Sequence, residues 1–195
     1  MRGLVWSLLP SVLKARLCRR IVVTGAESTG TTTLALDLSA ALGCPYVPEY
    51  GRTYTEERAD VADNPWREEE LVHIAEKQIE LENTVARTSN TSCLIADTDA
   101  FTTALWHERY FGIRSPRVDA IAERQVRPFA YILTGDEIPF EADTIREGGD
   151  ARHAMHERFR EDITQTNVPF LEVSGHPDIR LNQALGFLKH LGVAP

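Results

Sequence analysis

Cysteine is scarce in this chain: Cys18, Cys44 and Cys93 stand far apart among 195 residues. An odd, widely spaced set excludes a disulfide framework and a cysteine-rich zinc site, and reads as three reduced packing residues of a cytoplasmic protein. A basic surplus is missing as well. Lysine and arginine number 21 against 29 acids, a net charge of −8, whereas a nucleic-acid binder carries a basic face to neutralise phosphates. A small ligand or a protein is the expected partner, with self-association into a homo-oligomer left open.

A membrane span is also lacking. The opening stretch MRGLVWSLLPSVLKARLCRR has a short apolar run between basic residues, but Pro10 interrupts it and no stop-transfer segment follows. Residues 1–19 therefore read as an irregular or helical extension rather than a secretory signal or a membrane anchor. Repeats, low-complexity tracts and internal linkers are absent, and 43% apolar with 26% charged residues fits one compact domain over residues 20–195.

Five short apolar segments, at residues 20–24, 45–47, 93–96, 129–133 and 170–173, read as buried strands. Helical patterns lie between them, which predicts an α/β fold with a parallel sheet covered on both faces. One helix is expected to start at Asn64-Pro65-Trp66, with Asn64 as cap and Glu68, Glu69 and Glu70 in the first turn. Its apolar stripe is Leu71, Ile74, Leu81 and Val85, and Gln78 is a polar member of the inward row. Gln78 either bonds a neighbouring backbone group or faces a polar ligand.

The first strand runs into VTGAESTGTTTL, a phosphate-binding loop of the form G-x-x-x-x-G-K-[ST] from which the lysine is missing. Gly25, Ala26, Glu27, Ser28, Thr29, Gly30, Thr31, Thr32 and Thr33 make up the nucleotide-binding candidates. Backbone amides and the following helix N-terminus bind an anion without side-chain charge. Thr31 occupies the lysine position, Thr32 is the expected magnesium ligand and Thr33 the substitute. A charged hydrogen bond to phosphate contributes about 1.5–3 kcal/mol, so binding survives its loss more easily than phosphoryl transfer does. Another cation is then needed at the γ-phosphate.

The cation candidates are Arg146 and Arg152 on an arginine-rich arm at residues 139–160, hinged at Gly148-Gly149, with Arg114, Arg117 and Arg124 as alternatives. The arm reads as a lid that closes over a nucleotide. The histidines His153 and His156 are expected to be solvated lid residues, because no carboxylate or cysteine completes a metal set.

The third strand ends in Asp97-Thr98-Asp99, four apolar residues followed by an acid, as a Walker B element requires. Asp97 is the metal and catalytic candidate. Asp99 is divided between capping the next helix and contacting substrate. The second strand ends in Glu49-Tyr50-Gly51-Arg52, where Glu49 is placed to bind or deprotonate a sugar hydroxyl, and Arg52 to hold its partner carboxylate or a phosphate.

Taken together, GAESTGTTTL, PEYGR at residues 48–52, IADTDAFTT at residues 95–103 and the lid sequence around Asp143 and Arg146 resemble the ribosylnicotinamide kinase domain of NadR-type proteins. That resemblance implies a nucleoside-kinase-like P-loop NTPase fold, three layers around a five-stranded parallel sheet. It also implies ATP and magnesium (Mg2+) as cofactors, and transfer of the γ-phosphate to the 5′-hydroxyl of nicotinamide riboside for NAD synthesis. Carried over, Gly25 to Thr32 bind ATP, Thr32 and Asp97 meet the metal, and Arg146 comes from the lid; Asp97, Glu49 and Arg146 are the catalytic candidates, and Arg152 joins the nucleotide-binding ones. Glu49, Tyr50, Arg52, Gln78 and Asp99 face the nucleoside. Two departures stand out: Thr31 replaces the usual lysine, and Pro48 precedes Glu49 where members commonly have an aromatic residue. Full NadR proteins add an adenylyltransferase domain, for which 195 residues leave no room. The competing expectation is an ATP-binding regulatory protein without catalysis.

Overall fold

A computed structural model of the chain describes residues 6–58, 65–137 and 149–193. In chain order the elements are α1 (Ser11–Leu17), β1 (Arg19–Gly25), α2 (Thr31–Leu42), β2 (Tyr46–Val47), α3 (Tyr50–Glu57), α4 (Glu68–Thr88), β3 (Cys93–Asp97), α5 (Ala100–Phe111), α6 (Pro116–Ala122), β4 (Ala130–Thr134), α7 (Gly149–Gln165), β5 (Phe170–Val173) and α8 (Pro177–His190). All strand pairs are parallel, in the order β2-β3-β1-β4-β5.

The strands are buried on both sides, so their apolar runs divide by alternate residues between two cores. Val22, Leu94, Ala96, Tyr131 and Leu133 face one core, closed by Ala86 of α4, Leu105 of α5 and Met155, Phe159 and Ile163 of α7. Ile21, Val23, Ile95, Ala130 and Ile132 face the other, closed by Leu34, Ala35 and Leu38 of α2 and Ala184 and Leu188 of α8. The result is the expected three-layer α/β fold. Among the described residues no helix is long and apolar enough to cross a membrane. All three cysteines are buried and unbridged.

Several local readings need correction. Helix α4 starts at Glu68, later than Pro65, because the Glu70 carboxylate reaches back to the Arg67 backbone N–H at 2.8 Å and fixes the first turn there. Asn64 lies outside the described residues, as do Asp143, Arg146 and Gly148 of the arm. The second half of that arm belongs to helix α7, with Met155 and Phe159 in the core. His156 is buried, not solvated, and pairs with Glu172 at 3.0 Å, and His153 meets Asp136 at 2.8 Å.

Candidate active site

The carboxyl ends of β1, β2 and β3 lie side by side, so the loops that follow them share one crevice, the place where open parallel sheets take ligands. After β1 the backbone makes a nest. Ser28 has φ +59° and Gly30 φ +82°, alternations that turn successive N–H groups toward one side. Gly25 has no room for a side chain, since a Cβ there would collide with the hydroxyls of Thr134 and Thr29. Those hydroxyls brace the loop: Thr29 donates to the Ala26 carbonyl at 2.7 Å and meets Thr134 at 2.6 Å. The Ser28 hydroxyl is buried with no hydrogen-bond partner among the described residues. A buried orphan in an amide nest suits an anionic oxygen.

Thr32 and Asp97 come together at the base of this loop. Thr32 Oγ1 donates to Asp97 Oδ2 at 2.6 Å, and the Tyr46 hydroxyl donates to the same oxygen at 3.2 Å. Burial raises the Asp97 pKa above its usual range, against the hydrogen bonds from Thr32 and Tyr46 and the charge of Arg52. Thr33, one residue on, is exposed. Glu49 precedes α3 and sits across the crevice. Its carboxyl is pushed up to about 7 by burial first, then by the negative charges of Asp97 and Glu27, against the pull of Arg52. Arg52 Nε stands 3.9 Å from Glu49 Oε2 and is half exposed. Asp97 and Glu49 thus both feel the charge of Arg52.

Thr98 separates the two acids of β3 and has φ +70°, a left-handed conformation that strains a β-branched residue. Its backbone N–H donates to the Val23 carbonyl at 2.9 Å, tying β3 to β1 beneath the nest. The Thr98 hydroxyl is a second buried orphan among the described residues.

Gln78 and Asp99, each divided in the sequence between a protein bond and a substrate contact, are engaged by protein groups. Gln78 accepts from the Tyr50 N–H at 2.9 Å and donates to the Thr98 carbonyl at 3.4 Å, so it staples the loops after β2 and β3 together. Asp99 caps α5. One oxygen accepts from Thr102 N and Oγ1, both at 2.8 Å, and the other from Tyr131 Oη at 2.7 Å and Gln125 Nε2 at 3.0 Å. With both oxygens engaged and 1% exposure, Asp99 has no room for a sugar hydroxyl. Asp99→Ala removes the cap and strands two buried donors. We expect a loss of about 2–4 kcal/mol in urea unfolding.

The Tyr50 hydroxyl is bonded to His73 at 3.1 Å. The alternative cations do not reach the nest. Arg114 is held by Asp119 at 2.6 Å and Asp162 at 3.1 Å, Arg117 by Glu68 and Glu69, and Arg124 by Glu76. Arg158 and Arg160 of α7 pair with Glu108 and Glu172. Arg152 bonds the Asp136 carbonyl at 2.8 Å, just past β4 on the loop side of the sheet.

Tyr110 was invisible as a site residue in the sequence. Burial, then the charges of Glu27 and Glu49, push its hydroxyl up to about 12. Its half-exposed ring stacks on Trp66 at 5.4 Å and on Trp106 at 6.0 Å. No single position announces such a wall, because Trp66 lies in the segment before α4 while Trp106 and Tyr110 lie on α5.

A family model described as an AAA domain matches residues 20–180. The trifunctional NAD biosynthesis/regulator protein NadR of Salmonella typhimurium is 26% identical over 170 residues, covering 86% of this chain and 41% of that protein. The chain thus spans less than half the length of this curated relative. A crystal structure of NadR in complex with NR superposes with a TM-score of 0.76 at 18% identity, covering 99% of this chain and 57% of that one. Another, with NAD and AMP-PNP, gives 0.78 at 16% identity over 100% of this chain and 55% of that one. Deoxyadenosine kinase from M. mycoides gives 0.60 at 11% identity over 88% and 99%. The fold is that of the P-loop nucleoside and nucleotide kinases.

Proposed function

The chain belongs to the AAA-domain family, matched over residues 20–180, and from that membership and the crevice we propose an ATP-dependent small-molecule kinase. It transfers the γ-phosphate of ATP to the 5′-hydroxyl of nicotinamide riboside, giving nicotinamide mononucleotide. One observation carries the reading: the Thr32–Asp97 pair at 2.6 Å faces a carboxyl, Glu49, pushed up to about 7 across the crevice. The nucleoside is chosen from the likeness to NadR, which has been solved with NR.

Magnesium, when bound, draws charge from the phosphate oxygens and offsets the local acids; Thr32 and Asp97 are the residues that would hold it. The loop amides bind the phosphates by orientation alone. Glu49 accepts the proton of the attacking hydroxyl, a task for which a pKa near 7 is well matched. Arg52 sits beside Glu49 and balances the negative charge that gathers as the hydroxyl attacks. The Tyr110–Trp66 wall offers a face for the base, in place of the aromatic that Pro48 displaces.

Tyr110→Ala should therefore raise KM for the nucleoside roughly tenfold or more, stacking on one aromatic being worth about 1–3 kcal/mol, while KM for ATP stays within twofold. Steady-state kinetics in both substrates separates the two. A regulatory, non-catalytic reading rests on Thr31, yet a crevice without chemistry has no need of a proton acceptor poised near neutrality. The test is a comparison of kcat/KM for nicotinamide riboside with adenosine, uridine and deoxyadenosine under Mg-ATP. Nicotinamide riboside should lead by at least about tenfold, the step expected when one ring fits the wall better. A different nucleoside in front, or none accepted, ends this assignment.

A further inference from the structure

The nest has no lysine, but it does rest on a buried cation. Arg180 of α8 is 3% exposed, and its guanidinium spends its donors on the loops around the nest. Nη1 donates to the Thr29 carbonyl at 2.6 Å; Nη2 donates to the Gly135 carbonyl at 3.2 Å and to Glu137 Oε1 at 2.6 Å; Nε donates to the Gly175 carbonyl at 2.9 Å. One side chain thereby ties the phosphate loop to the segments that follow β4 and β5. Nothing in the sequence marks it, since Thr29, Gly135 and Glu137 lie 43 or more positions away along the chain.

A trans peptide sets the carbonyl of one residue and the N–H of the next on opposite sides. Holding the Thr29 carbonyl toward α8 therefore turns the Gly30 N–H the other way, away from Arg180. The Ala26 carbonyl, held by the Thr29 hydroxyl at 2.7 Å, turns the Glu27 N–H in the same manner. Gly30, at φ +82°, permits the turn without side-chain strain. We infer that Arg180 is a positioning residue for the phosphates of the bound nucleotide: paired with Glu137, it fixes the Thr29–Gly30 peptide so that Gly30 N–H serves the nest.

Nε, Nη1 and Nη2 each donate to protein oxygens, so Arg180 strengthens binding and does not reach the transferring phosphoryl group. That divides the work of the missing lysine. Affinity is supported from beneath by Arg180, and transition-state charge is left to a cation above the nest. The inference rests on the nucleotide-binding reading just proposed.

The experiment measures Mg-ATP affinity, nucleoside KM and the backbone amide spectrum of the full chain, for the wild type, Arg180→Met and Arg180→Lys. Arg180→Met should weaken Mg-ATP about 10–100-fold, the range for losing a charged hydrogen bond, with nucleoside KM within twofold. Arg180→Lys should recover part of that loss. In the wild type, the Gly30 amide proton should move on addition of Mg-ATP, a readout that holds even where a variant folds poorly. The inference is overturned by a folded Arg180→Met that binds Mg-ATP as the wild type does. Equal weakening toward both substrates, or a Gly30 amide left unmoved while its loop neighbours shift, overturns it too. A wild type that binds no Mg-ATP removes the nucleotide-binding reading and this inference together.

Discussion

Asp97→Asn should lower kcat/KM by about 10³-fold or more, because it weakens a charge interaction worth several kcal/mol in the transition state. Thr32 Oγ1 donates to Asp97 Oδ2 at 2.6 Å and Tyr46 donates to the same oxygen. An asparagine oxygen still accepts those bonds but brings no charge to a divalent cation. The fold should not suffer. Burial raises the Asp97 pKa, so the ionised form is disfavoured in the folded state, and the neutral amide removes that cost. A melting temperature at or above the wild-type value, with activity lost, is the expected pair of results. Loss of activity together with early melting would place Asp97 in the scaffold instead.

Glu49→Gln should cost about 10²–10⁴-fold in kcat, the usual contribution of a positioned base. Its pH signature is as informative as its size. Glu49 rises from 4.5 to about 7 in the folded protein. In the wild type kcat/KM should climb through an inflection near pH 7 as the base ionises, and in Glu49→Gln that inflection should vanish. Stability runs the opposite way. Between pH 4.5 and about 7 the folded state binds more protons than the unfolded state, so the contribution of Glu49 to stability falls as pH rises through this window. Glu49→Gln removes that penalty and should stabilise the protein at pH 8 by about 1–3 kcal/mol. A variant that is less active and more stable is the mark of a residue kept for chemistry.

The sheet was readable because buried parallel strands are continuous apolar runs. The expected strands at 20–24, 93–96 and 129–133 correspond to Arg19–Gly25, Cys93–Asp97 and Ala130–Thr134, within a residue at each end. Candidate site residues stand out in the sequence where an acid or hydroxyl follows a strand, as at Thr32, Glu49 and Asp97, and the structure brings Thr32 to Asp97. Polar residues with buried partners were not. Gln78 and Asp99 look the same in sequence whether they meet a ligand or a backbone group; only the packing of Tyr50 N–H and Tyr131 against them decides. Charge pattern misled for a similar reason. Arg158 and Arg160 resembled lid arginines, yet their acids, Glu108 and Glu172, come from other elements. Arg180 lies outside the short motifs that resemble NadR, and its Thr29 contact spans 151 positions. No local pattern encodes that.

Phosphoryl transfer by a loop with Thr31 in the lysine position is tested most directly by a single turnover. Nicotinamide riboside and γ-labelled ATP with magnesium are mixed with an excess of the full chain, and the reaction is quenched over time. Label should pass from ATP to nicotinamide mononucleotide in one phase, at a rate that rises through pH 7 with the ionisation of Glu49. ATP held tightly by the protein, with the label still on it after long incubation beside the nucleoside, would contradict a kinase and leave a nucleotide-binding protein without chemistry.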